Sequence, residues 1–154
     1  MIYISYSVVF LLTYILQTTV LSGWPLRPEL ILIVFCLMFS GRSSAGLIAG
    51  FLTGAFLDIL SGYSFYNMIL YSITGLLCGF MPVSIFRDFR SLAFVNMLIG
   101  SVILNTGYAV LSRIFLGKAI LLSPLSYFLV LVLNIVFFWI IYFIFVRRKY
   151  NIYD

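Results

Sequence analysis

Residues 43–62 read SSAGLIAGFLTGAFLDILSG, and their spacing decides what kind of protein this is. Gly46, Gly50, Gly54, Asp58 and Gly62 recur at intervals of four. Four residues advance about 400° around a helix, so these positions share one slowly winding stripe. The positions between them are almost all Leu, Ile, Ala, Phe or Thr. Such a stripe in apolar surroundings belongs to a membrane helix, where small residues let backbones approach closely and packing replaces the hydrophobic drive that lipid removes.

The rest of the chain agrees. Of 154 residues, 64% are hydrophobic and 8% charged, with mean hydropathy +1.22. A soluble domain carries about a quarter charged residues, so this composition cannot build a water-facing surface. Apolar runs fill nearly the whole length, leaving no room for a separate soluble catalytic domain. The absence of histidine excludes His-dependent triads, histidine metal sites and histidine proton relays. The net charge of +5 comes from scattered loop residues rather than a basic stripe, which points to membrane topology and away from nucleic acid.

Cutting at charges, prolines and polar clusters predicts six spans, at about residues 2–21, 28–40, 44–60, 65–85, 92–115 and 124–146. The first lacks the basic flank of a signal peptide and is read as a retained span. Spans two and three are short and meet at Arg42, which is expected to emerge at the surface because a cation at the bilayer centre costs at least about 2.5 kcal/mol. With both termini in the cytoplasm, the inner side holds Arg42, Arg87, Arg90, Arg147, Arg148 and Lys149, against Arg27, Arg113 and Lys118 outside. That excess sets the orientation. The fold class is therefore an all-α integral membrane protein, a single domain of six transmembrane helices.

The glycine ladder has two uses open to it, packing within the bundle or docking of another protein. Asn67, Tyr71, Gly75 and Gly79 repeat its spacing, which makes span four its plausible mate. Asp58 is read as the only carboxylate inside a span, and a buried acid at membrane depth defaults to a functional hypothesis. Its structural alternative is an ion pair with Arg27 or Arg113. Asn96, Asn105 and Asn134 are expected to hydrogen-bond between helices. Cys36 and Cys78, each inside an apolar run, are read as inert core thiols.

Pro28 and Leu30 opening a short apolar helix, Arg42 at the turn, then Gly46, Gly50-Phe51, Gly54, Leu57-Asp58 and Gly62 together resemble the rod shape-determining protein MreD family. The resemblance is specific over residues 28–79 and compositional beyond. One departure is Tyr66, near which the family often carries a further glycine.

The resemblance implies a fold similar to the substrate-binding subunits of energy-coupling-factor vitamin transporters. It also implies a non-catalytic scaffold of the bacterial cell-wall elongation complex in the inner membrane. Its partner would be the bitopic protein MreC, beside MreB filaments, a class B penicillin-binding protein and its glycosyltransferase. No catalytic residue, metal or cofactor is expected. Gly46, Gly50, Gly54, Asp58, Gly62, Gly75 and Gly79 are the packing or docking residues. Arg27, Tyr63, Phe65 and Tyr66 are assigned to an outer partner contact. Arg87, Arg90, Arg147, Arg148 and Lys149 are assigned to anionic lipid or a filament. The rival function is a vitamin-binding transporter subunit, disfavoured because the polar inventory near the outer loops looks thin.

Overall fold

The structure, a computed structural model, describes residues 2–21, 23, 26–62, 65–81, 86, 88–117 and 123–146. These form α1 (Ile2–Ile15), which runs on through a π-helical turn (Leu16–Val20), then α2 (Leu30–Phe39), α3 (Ser43–Ser61) and α4 (Tyr66–Phe80). After them come α5 (Phe89–Leu116) and α6 (Pro124–Ile141), the last ending in a second π-helical turn (Tyr142–Val146). There is no strand among the described residues.

Three segments, Ser44–Ser61, Phe89–Leu116 and Pro124–Ile144, are long and apolar enough to cross a membrane. Their ends follow local chemistry. Left-handed glycines close α3 at Gly62 (φ 68°) and α5 at Gly117 (φ 67°), where a Cβ would be strained. Ser123 opens α6, its hydroxyl accepting from the Ser126 N–H at 3.2 Å, and Pro124 occupies the first turn, where a missing N–H costs nothing. Large apolar side chains cover the outside, Leu12, Ile59, Phe80, Ile114, Leu125 and Phe128 among them. Water-soluble monomers keep such patches small, whereas hydrocarbon solvates them.

Two elements are shorter than expected. Helix α4 has 15 residues, flanked by Phe65 and Met81, and residues 82–85 of its expected span lie outside the described residues. Helix α2 has ten residues, about 15 Å, half of the hydrocarbon thickness. It is not a wall of the bundle but its centre. Leu32, Ile33, Phe35, Cys36 and Phe39 have no exposed surface, and the helix meets α1, α3, α4, α5 and α6. A helix apolar on every face can be covered on every face, and here it is. The aromatic core gathers on it, with the Tyr6 ring edge-on to Phe39 at 4.8 Å and Phe35 edge-on to Tyr71 at 6.0 Å.

Candidate functional site

The glycine ladder is spent on α4. The pairing is antiparallel and steps by four on both helices: Gly46 faces Gly75, Gly50 faces Tyr71, and Gly54 faces Asn67. A Cβ on Gly46 would stand 2.6 Å from the Gly75 carbonyl oxygen, one on Gly50 2.9 Å from the Tyr71 carbonyl carbon, and one on Gly54 2.5 Å from that of Asn67. These obstacles are backbone and cannot swing aside, so only glycine fits. The ladder therefore offers no face to a second protein. Gly62 belongs to the helix cap rather than the contact, and a Cβ there meets nothing. Gly79 is half-buried near the far end of α4.

Asp58 completes the same interface. It is 8% exposed, and its carboxylate lies across the start of α4. Oδ1 accepts from the Asn67 N–H at 3.0 Å and the Asn67 Nδ2 at 2.8 Å, while Oδ2 accepts from the Met68 N–H at 2.8 Å. The residue before α4, Phe65, contributes no side-chain cap. Asp58 replaces it from the neighbouring helix, satisfying N–H groups that have no partner within α4, where the helix dipole also favours an anion. Three hydrogen bonds thus reach the carboxylate from α4, and Arg113 is exposed.

A second acid was missed in the sequence. Glu29 falls inside the expected span 28–40, so Asp58 is not the only carboxylate there. Its backbone enters α2 unwound, and its N–H donates to Asn134 Oδ1 at 2.7 Å. Asn134 Nδ2 donates back to Glu29 Oε2 at 3.1 Å and to Ser101 Oγ at 3.1 Å. Asn105 Nδ2 reaches Glu29 Oε1 at 3.3 Å and the Ser101 carbonyl at 2.9 Å. Asn134 is fully buried, so α2, α5 and α6 meet at a wholly polar knot inside an apolar bundle. Amides of both Asn105 and Asn134 donate to this carboxylate.

Beside Glu29 lies a cavity of about 220 Å³, walled by Tyr14, Gln17, Arg27, Asn67, Tyr71 and Tyr108 among others. The unwound backbone at the start of α2 thus borders this space. The Gln17 Oε1 is buried and accepts no hydrogen bond. The polar inventory at this end is thus richer than the outer loops suggested, because Gln17 comes from the π-helical end of α1 and Glu29 from the mouth of α2.

Comparison with protein families, characterised proteins and solved structures finds no match.

The remaining predicted residues fall apart from one another. Phe65 is 66% exposed and held in the left-handed region at φ 54°. Arg27 is exposed at its residue level while lining the cavity. Tyr66 is corrected: it is 7% exposed, its ring 5.7 Å from Phe115, and it offers no outer contact. Arg90 is exposed with its guanidinium carbon 5.2 Å above the Tyr142 ring. Tyr63, Arg87, Arg147, Arg148 and Lys149 lie outside the described residues.

At the opposite end of α2 from Glu29, Cys36 and Cys78, 42 residues apart in sequence, bring their sulfurs to 3.8 Å as free thiols. Asn96 Nδ2 donates to Ser40 Oγ at 2.9 Å beside them, and the Gly41 N–H donates to the Cys78 carbonyl at 3.0 Å. Among the described residues no three His, Cys, Asp or Glu side chains come together as metal ligands would.

Proposed function

We propose that this chain is a non-catalytic, six-span scaffold of the MreD type in a bacterial inner membrane, with both termini cytoplasmic. It binds a bitopic MreC-like partner and through it serves the cell-wall elongation complex. The observation that carries this is the α3–α4 contact. The segment bearing the resemblance is locked backbone to backbone by Gly46, Gly50 and Gly54 and pinned by Asp58, a frame built for rigidity rather than turnover.

Because α4 occupies the ladder, the partner's single helix is assigned to the outward groove between α1 and α3. That groove measures about 300 Å³ and is lined by Phe10, Leu11, Ala49, Leu52 and Phe56, with Tyr6 and Thr53 sharing a 2.8 Å hydrogen bond in it. Exposed Phe65 meets the partner's juxtamembrane segment. Arg90 faces anionic lipid, each basic residue near such a surface contributing about 1 kcal/mol.

Co-purification tests the scaffold. The native chain should recover a bitopic coiled-coil protein, and Leu52→Trp should lose it while remaining folded, since Leu52 is exposed. Recovery of no bitopic protein sinks the reading. Orientation is tested by single cysteines at Ser61, Ser123 and Ser91, all exposed, in a variant lacking Cys36 and Cys78. An impermeant maleimide should label the first two and spare the third.

The transporter-subunit reading is favoured by one observation, the polar cavity beside Glu29. A vitamin that raises the thermal midpoint at micromolar concentration would support it over the scaffold.

A further inference from the structure

Thr53 breaks a rule that the other threonines keep. Thr13, Thr18, Thr19, Thr74 and Thr106 each donate to a carbonyl of their own helix, at 2.6–2.8 Å. That bond satisfies a helix hydroxyl without water. Thr53, 3% exposed, turns instead to Tyr6, 6% exposed, and their 2.8 Å contact is the sole hydrogen bond of either hydroxyl among the described residues. Two hydroxyls carry two hydrogens, and one contact uses one of them. Whichever of the pair donates, a second O–H is left over. Both side chains line the groove between α1 and α3, beside the small Ala49. Thr53 stands about 15 Å from one end of α3 and about 12 Å from the other, near the middle of about 30 Å of hydrocarbon. Water is absent at that depth and lipid ester groups lie at the interfaces, so neither takes up the spare O–H.

We propose that this groove receives a transmembrane helix through an Asn or Gln side chain, whose carbonyl oxygen accepts the spare O–H of the Tyr6–Thr53 pair at mid-membrane depth. An amide answers both needs of the pair: its oxygen takes the hydrogen, and its N–H groups donate to lone pairs that the two hydroxyl oxygens leave open. A carboxylate would accept as well, but it brings a charge that the bilayer centre penalises. Polar side chains of this kind join helices in lipid, where the hydrophobic effect does not. Helix α1 packs on α2, and Leu11, Leu52 and Phe56 stay exposed around the buried hydroxyls. The apolar rim supplies contact area, and the hydroxyl pair fixes the depth at which the arriving helix sits. With the scaffold reading as its basis, that helix is the single span of the bitopic partner.

The probes are Lys-flanked Leu–Ala helices of about 20 residues: one with a central Asn, one with Leu in its place, and one with the Asn moved two turns toward an end. Binding to the full chain in phosphatidylcholine vesicles is read by energy transfer, at peptide-to-lipid ratios low enough to keep the peptides monomeric. The central-Asn helix should bind about fivefold or more tightly than the other two. In a Tyr6→Phe/Thr53→Val variant, which keeps both shapes and removes both hydroxyls, that advantage should vanish. Leu52→Trp, at the rim, should weaken all three helices. Equal binding of the three, no binding of any, or an advantage that survives loss of the hydroxyls overturns the proposal. In native membranes a photo-crosslinker at Leu52 should capture a bitopic protein with Asn or Gln within one turn of the cross-link. A second copy of this chain, a lipid or a wholly apolar helix captured there overturns the proposal but leaves the scaffold reading standing, because that reading fails on a different result, the recovery of no bitopic protein on co-purification.

Discussion

Asp58, buried, and Glu29, half-buried, are both acids inside an apolar bundle, and they are stabilised in opposite ways. Asp58 is held largely by backbone: two of its three donors are main-chain N–H groups at the start of α4, whose positions are fixed by the helix itself. Glu29 is held by side-chain amides from α5 and α6, which can turn to other partners. Removing the carboxylate at Asp58 strands the helix start. Removing it at Glu29 strands only side chains and the space beside them. A buried acid tied to main-chain donors is architectural, whereas one held by side-chain amides beside a cavity is not fixed by a helix end.

Substitutions graded along that difference can break it. Gly54→Leu should be the most damaging, because Asn67 backbone stands where the side chain would go; folded yield should fall below about a tenth of native, measured by size exclusion. Normal yield would mean that α3 and α4 are not in backbone contact. Asp58→Asn comes next. It turns an N–H toward main-chain donors that need an acceptor, and about 1–3 kcal/mol of stability should be lost, read as a lowered thermal midpoint.

Asn134→Leu should cost less, about 1–2 kcal/mol, because Asn105 still reaches Glu29. A larger loss for Asn134→Leu than for Asp58→Asn would reverse the hierarchy. Tyr6→Phe is the smallest, removing one hydrogen bond to Thr53 at a cost of about 0.6 kcal/mol, the usual size for such bonds between membrane helices.

Much of the α3–α4 half was legible because both helices carry the same period. Gly46, Gly50 and Gly54 on one and Asn67, Tyr71 and Gly75 on the other announce a close contact, and the spacing survives intact in the fold. What the spacing could not settle was whether Asp58 reaches a cation or a helix start. An acid that caps a different helix leaves no sequence signature, since the link skips from 58 to 67 and 68 through a loop.

The Glu29 half was obscured for another reason. Glu29 sits next to Arg27 and Pro28, so it passes for loop chemistry. Its partners Asn105 and Asn134 lie 76 and 105 residues away, and neither asparagine alone points to an acid. Helix α2 misled for a related reason: a run apolar on every side has no periodicity to separate a central helix from a lipid-facing one.

The shortness of α2 bears on how the chain is made. Its ten residues are apolar enough to leave water at once, yet about 15 Å of helix cannot hold itself across the hydrocarbon. It is joined to α3 by the short turn at residues 40–42. The faces of α2 that meet α5 and α6 are covered by helices that begin only at Phe89 and Pro124. Until those helices are made, Glu29 has neither Asn105 nor Asn134. The amide cage of Glu29 is therefore completed only when α6, the last of the described helices, is in place.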